Sequence, residues 1–362
     1  MARRPRAQES MKLLTIVVVI GIQFVAAKSL GREAGSTDPL GRHMQAMLTT
    51  DDEWRTPNPD YEQGKRRPKE YAMHFHMQPD GKHVTGELMG VYDDGRRVSY
   101  WALLSMYNPV TEKVVTQQIG WDGTLLYGEN DVQTGDTQTI DMIEYNANGK
   151  MDIVRHVSHF SGAEMHNSDV YERKDGEWVP KAKWTWHRVE GADHGSESGE
   201  HEPGGIEKHA ARLVAGSGRW RSPNPDFTAG SNDPEFFGMN YRWGLRKQYV
   251  IGEIVSIDER GSEKKEWSLY LINNPVTGLA HLYQTGTNGV FFRGEFGISA
   301  DGMHSQTGLI YLPNGTVKSV HDDVEFVDDD TYISHVHERD KSGDWKKVRQ
   351  WTWQRVAKAP SD

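Results

Sequence analysis

Four glutamates are the residues of this chain best suited by type and surroundings to acid–base chemistry. Glu87, Glu253, Glu129 and Glu295 each follow a glycine within a predicted strand. A carboxylate that faces a dry interior has a raised pKa and can act as a general acid or base. The alternative role is structural, with each glutamate pairing with an arginine or capping the preceding turn. All four are candidate ligand-binding residues.

Two tryptophans and two glutamines form a second candidate set, suited to binding a small molecule. Trp101 and Trp267 occupy matching positions on a predicted central strand, and Gln118 and Gln284 follow them at the same spacing. Aromatic walls with a few amide groups can hold an apolar molecule or stack on sugar rings. Packing of the tryptophans in a core is the alternative.

Two His-x-His pairs raise the question of a metal site. Residues i and i+2 of a strand project to one face, so His74 and His76 could supply two ligands. Apolar residues alternate with them, however, which favours a solvated strand face for the histidines. His335 and His337 repeat this arrangement later in the chain. We therefore predict no metal site and no cofactor.

The candidates occur in pairs because the chain contains an internal repeat. Residues 54–61 (WRTPNPDY) return as residues 220–227 (WRSPNPDF), and the paired glutamates, tryptophans and glutamines are all separated by the same 166 positions. The offset becomes 167 only after Arg339, where a hairpin tip is predicted. A one-residue slip within a strand would turn its side chains to the wrong face. The pattern therefore indicates a duplicated domain with intact strand register.

Within each copy the residue pattern is typical of β-structure. Residues 71–77 alternate in polarity, with Tyr71, Met73 and Phe75 on one face, and Asn-Gly and Asp-Gly turns separate further short strands. No segment within a copy shows a clear helical period. Eight or so antiparallel strands in about 135 residues bury their apolar faces best by closing into an up-and-down barrel. A sandwich is the alternative.

The boundaries of the copies resemble those of lipocalin-like (calycin) barrels. The Gly-Arg-Trp segment that ends at Trp220, together with Arg355, is similar to the Gly-x-Trp and closing arginine of that family. The resemblance implies that Trp220 plugs the barrel base and that Arg355 stacks on it as a cation–π pair. It implies the same for Trp54 and Arg188, although Asp52 stands where the first copy would need the glycine. The fold class expected is all-β, with two tandem antiparallel lipocalin-like barrels joined by a flexible linker.

Composition and the first residues indicate an exported protein. Lys12 precedes an apolar run, residues 13–27, that ends in small residues, as in a cleavable signal peptide. The run is shorter than the roughly 20 residues that span a bilayer, so we expect no membrane span after cleavage and a secreted or periplasmic location. The chain has no cysteine, which excludes disulfides, thiol catalysis and cysteine-ligated zinc. A net charge of -10 disfavours nucleic acid as a partner.

The pattern divides the chain into five parts. These are a signal peptide (1–27), a lead-in (28–50), a first β-barrel repeat (51–189), a flexible acidic linker (190–212) and a second β-barrel repeat (213–357). The function expected is an exported binding protein that holds a small hydrophobic or amphipathic ligand in one or both barrels.

Two alternatives to a binding protein stay open. One is a hydrolase or cyclase-type isomerase, acting on a small molecule or glycan. It would use Glu87, Glu129 or the histidines of the first copy, His156, His159 and His166, should the fold bring them together. The other is a scaffold whose outer face binds a partner.

Overall fold

The chain forms two closed antiparallel β-barrels in tandem, each with ten strands. The computed structural model describes residues 38–49, 51–191, 206–298 and 303–357. The predicted signal peptide and most of the predicted linker lie outside the described residues. The expected fold class is confirmed, and the estimate of eight strands per barrel was too low. Among the described residues, no helix is both long and apolar enough to cross a bilayer.

Each barrel is preceded by a short helix. The first copy consists of α1 (Pro39–Met44), β1 (Glu53–Pro57), β2 (Glu70–Met77), β3 (His83–Val91), β4 (Arg97–Asn108), β5 (Lys113–Gly120), β6 (Leu125–Asp131), β7 (Thr137–Tyr145), β8 (Met151–Phe160), β9 (Met165–Lys174) and β10 (Glu177–Val189). The second consists of α2 (Glu207–Val214), β11 (Arg219–Pro223), β12 (Phe236–Trp243), a 3₁₀ turn (Leu245–Lys247), β13 (Tyr249–Ile257), β14 (Glu263–Asn273), β15 (Ala280–Gly286), β16 (Phe291–Ile298), β17 (His304–Tyr311), β18 (Val317–Phe326), β19 (Thr331–Arg339) and β20 (Trp345–Arg355).

Every strand pairs with its neighbours in sequence, and the first strand of each copy pairs with the last. Trp54 of β1 lies opposite Arg188 of β10, and Trp220 of β11 lies opposite Arg355 of β20. Closure in this way leaves no unpaired sheet edge. The strand count was underestimated in part because β1 and β11 are five-residue strands that end in proline, so their sequences suggest an extended arm.

A stacked tryptophan–arginine pair and the short helix close one end of each barrel. Trp54 donates its indole N–H to the carbonyl of Met47 at 3.1 Å, and the Arg188 guanidinium lies 4.9 Å from the centre of a Trp54 ring. In the second barrel, Arg355 lies 4.1 Å from the Trp220 ring. The stacking implied by the family resemblance is therefore confirmed in both copies.

The two barrels pack side by side through a buried apolar core. It is formed by the outer faces of β4–β6 and β14–β16 together with the 3₁₀ turn. Its buried members are Ala102, Leu104, Met106, Val115, Ile119, Leu125, Tyr127, Leu245, Tyr270, Ile272, Tyr283 and Phe291. The Gln248 side chain donates to the Trp121 carbonyl at 3.2 Å, and Glu129 forms an ion pair with Arg293 across the same contact. These contacts join the barrels into one packed body.

Candidate functional site

A cavity of about 440 Å³ occupies the interior of the first barrel. Its lining includes His43, Met44 and Met47, which belong to α1 or follow it and cover the closed end. At the opposite end, Glu144 and Lys181 line the cavity beside hairpin turns, and the Lys181 side chain is 43% exposed there. The cavity therefore has a closed base and a charged mouth.

The wall between base and mouth is largely apolar and aromatic. Side chains alternate between the two faces of each strand, so every second residue faces inwards. The inward residues include Tyr71, Met73, Phe75, Leu88, Trp101, Leu103, Leu126, Val154, Val170, Trp184 and Trp186. The face that the sequence pattern assigned to Tyr71, Met73 and Phe75 is thus the interior face. Such a wall favours a ligand with an apolar body.

A β-bulge positions the charged pair at the mouth. The pairing of β9 with β10 shifts register between Pro180 and Ala182, so Lys181 is the inserted residue and lines the interior. Its ammonium group lies 2.8 Å from the Glu144 carboxylate. A partly exposed ion pair of this kind contributes little to stability. Both charges are therefore available at the cavity mouth at small cost to the fold.

Two histidines supply polar groups deeper in the cavity. Burial, together with the nearby Lys181 charge, lowers the pKa of His156 to about 4. Burial alone lowers the pKa of His166 to about 4. The His166 ring packs 4.6 Å from Trp54, and its Nδ1 is buried without a hydrogen-bond partner among the described residues. Both imidazoles are neutral at pH 7, so each can donate one hydrogen bond and accept one.

The structure separates the residues that the sequence singled out. Trp101 and Gln118 line the cavity of the first barrel. Trp267 and Gln284 are buried in the second barrel at 3% and 0% exposure. Both amide atoms of Gln284 lack a hydrogen-bond partner among the described residues.

All four candidate glutamates lie outside the barrel interiors. Glu87 and Glu253 line a different space, between the barrels. Glu129 pairs with Arg293, and Glu295 is exposed on β16. Glu129 thus takes the alternative, structural role of pairing with an arginine.

The candidate histidines also separate. His156 and His166 line the cavity, whereas His159 lies on the outer face, where its Nδ1 is 3.1 Å from the Thr137 hydroxyl. His74 is on the outer face as expected, but it is 7% exposed because it faces the space between the barrels. Among the described residues, no group of three histidine, aspartate or glutamate side chains is placed to hold a metal ion.

Sequence reasoning did not single out Glu144 and Lys181, although the repeat holds a clue to both. At the equivalent positions of the second copy stand Ile310 and Val348. At two inward-facing positions, the first copy thus has a charged residue where the second has an aliphatic one. This difference indicates that the two interiors are not equivalent. A comparison of the copies for such differences would have found this pair.

The second barrel carries larger apolar side chains at other cavity-lining positions. Leu271, Leu282 and Phe292 stand where the first barrel has Ser105, Thr116 and Leu126. Leu271, Leu282, Phe292 and Ile310 are all buried in one continuous core cluster of the second barrel. The interiors of the two barrels thus differ through a few substitutions between the copies.

Comparisons with known proteins give no family. No protein-family model matches the chain, and no curated protein matches its sequence. A solved structure from the DUF3598 family of Nostoc punctiforme, of unknown function, is 10% identical with a TM-score of 0.18, over 89% of this chain and all of that one. Transferrin binding protein B from Haemophilus parasuis is 8% identical with a TM-score of 0.16, over 85% of this chain and 76% of that one. These scores are too low to support an argument about function.

Proposed function

We propose that the protein is an exported binding protein that holds a small hydrophobic or amphipathic ligand in its first barrel. The observation that supports this proposal is the 440 Å³ cavity. Ligand sites in proteins are concave, mostly apolar spaces of about 300–1,000 Å³ with a few polar groups. The first barrel meets each of these criteria. Export is supported by the signal-like residues 1–27.

The lining favours a ligand with an apolar body and polar ends. The body would lie against Trp101 and Trp184, and a polar end at the mouth would meet Lys181 and Glu144. His166 at the base is neutral at pH 7, so it would recognise the inner end by hydrogen bonding rather than by charge. Of the residues on which an enzymatic role would depend, Glu87 and Glu129 lie outside the cavity, and only the histidines His156 and His166 line it. Binding is the function that the geometry supports best.

The first test fills the cavity with residues that the second copy already uses. The double variant Ser105→Leu with Thr116→Leu copies Leu271 and Leu282 and removes two polar groups from the lining. We expect the wild-type protein to bind anilinonaphthalene sulfonate with an increase in fluorescence, and the double variant to lose at least tenfold in affinity. Native mass spectrometry of the wild type should also show a retained ligand that is lost on denaturation.

A matched variant separates cavity filling from a general effect of added leucine. Ser262→Leu makes the same change at an exposed turn of the second barrel and should bind the dye like the wild type. Far-UV circular dichroism checks that every variant is folded. Equal dye affinity in the wild type and the filled variant would contradict the proposal, as would a wild-type protein that binds neither dye nor a retained ligand.

A further inference from the structure

A second cavity, of about 280 Å³, lies between the two barrels and is lined by charged side chains. Glu87 of β3 and Glu253 of β13 both line it, and they occupy equivalent positions in the two copies. Arg242 of β12 and Lys265 of β14 line the same space. Elsewhere the contact between the barrels consists of the apolar core, the Glu129–Arg293 ion pair and a hydrogen bond from Gln248 to Trp121. At this cleft, by contrast, charged groups of both signs surround an open space.

Two of the charged groups that line this cleft pair with each other. The Lys265 ammonium lies 3.1 Å from the Glu253 carboxylate, and Glu87 accepts a hydrogen bond from the Ser99 hydroxyl at 3.0 Å. Arg242 forms no ion pair with any acidic side chain of the described residues. A guanidinium with its fork of donors thus faces the cleft without a carboxylate partner.

The walls of the cleft are held by buried contacts between the copies. His83 is 1% exposed, and its Nδ1 lies 3.2 Å from the Asp80 carboxylate. Ser268 of the second barrel donates to the other oxygen of Asp80 at 3.4 Å, and the Tyr270 ring packs 5.6 Å from the His83 ring. These contacts fix β3 against β14, so the cleft is part of the packed body.

We propose that this cleft binds a small zwitterion of the free amino acid type. The ligand carboxylate would pair with Arg242, and its ammonium group would lie between Glu87 and Glu253. Charged groups of both signs line the cleft, so a ligand that carries both signs matches it better than a simple anion or a neutral molecule. The volume is just below the range of about 300–1,000 Å³ typical of drug-sized ligands, which favours a molecule of amino acid size.

Ligand-observed saturation-transfer NMR on the full chain tests this site. The probe is an equimolar mixture of the proteinogenic amino acids, and we expect saturation transfer to a subset of them. Arg242→Gln and Glu253→Gln should each weaken binding of that subset by about tenfold or more, because each removes a charge-assisted hydrogen bond. Both side chains are at least partly exposed, so the variants should unfold at the wild-type temperature.

Two controls assign the result to the cleft. Glu295→Gln makes the same change at an exposed position on β16 and should leave binding unchanged. The filled first-barrel variant, Ser105→Leu with Thr116→Leu, should bind amino acids like the wild type, which separates this site from the proposed function. Absence of transfer to any amino acid would overturn the proposal. Saturation transfer of equal strength in Arg242→Gln would also overturn it.

Discussion

Asp322 is the residue that most clearly distinguishes the two interiors. It is fully buried in the second barrel, at the position that His156 takes in the first. Burial raises the pKa of its carboxyl well above the ordinary value, and the Asp323 carboxylate raises it further. The side chain therefore stays protonated in the folded protein at pH values where the unfolded chain ionises it.

The raised pKa of Asp322 leads to a prediction about stability. Above the unfolded value of 3.8, the folded state binds one more proton than the unfolded state, so this group makes stability fall as pH rises. Asp322→Asn keeps the shape of the neutral acid and removes this linkage. We expect the variant to be more stable than the wild type at pH 7, with a smaller gain towards pH 4, in urea unfolding monitored by tryptophan fluorescence.

Two further results would bear on this assignment. Asp323→Asn, next in the chain but only partly buried, should give a smaller gain at pH 7 because it removes one of the causes that raise the Asp322 pKa. A loss of stability in Asp322→Asn at pH 7 would mean that the carboxyl is ionised in the folded protein, and would contradict the assignment of a neutral Asp322.

At the scale of elements, the closing strands depend on the arginines that end them. The Arg355 side chain is 10% exposed and stacks on Trp220. Its guanidinium donates to the Arg212 carbonyl at 2.9 Å and to the Asp330 carboxylate at 2.8 Å. One residue thus ties β20 to α2 and to the turn before β19, while β20 itself pairs with β11.

Removal of this arginine should loosen the closure of the second barrel. We expect Arg355→Ala to lower the free energy of unfolding by about 2–4 kcal/mol, since it loses a cation–π contact and several charge-assisted hydrogen bonds. Arg355→Lys keeps the charge but not the planar fork and should lose about half as much. Urea denaturation measures both. An alanine variant as stable as the wild type would show that the stack does not support closure.

The elements themselves were largely predictable from the repeat and the turn residues. Asn-Gly and Asp-Gly pairs mark the hairpins, and the constant offset required the same register in both copies. The prolines of β1 and β11 concealed two strands, because pairing with the last strand depends on closure and leaves no local pattern. The site was less predictable. Lys181 faces inwards because of a β-bulge that arises from packing, and the sequence pattern does not mark that bulge.

At the scale of the whole molecule, the strands between the barrels are apolar on both faces. In β4, Leu103 faces the cavity while Leu104 and Met106 are buried against the second barrel. Strands that are apolar on both faces are covered on both faces. The sequence contains this signal, but it does not say which surface covers β4, so the cavity that both Glu87 and Glu253 line could not be predicted.

Because the barrels share a buried core, we expect them to unfold together. Ile272 is fully buried in the shared core, and Ile272→Glu would place a charge there. We expect one calorimetric transition for the wild type and two for the variant, as the barrels lose their coupling. Val276→Glu, at a position that is 39% exposed, is the matched control and should resemble the wild type. A variant with a single transition of unchanged enthalpy would show that the barrels unfold together without this core.

The contact between the barrels uses the same surface of each copy. Leu104 and Met106 lie in the shared core together with Tyr270 and Ile272, their counterparts in the repeat. A contact between identical patches is the isologous contact of a two-fold homodimer. The chain is thus arranged as a dimer whose two subunits have been fused end to end. In a homodimer every substitution appears twice. In the fused chain, one interior can carry leucine and phenylalanine at positions where the other keeps smaller residues.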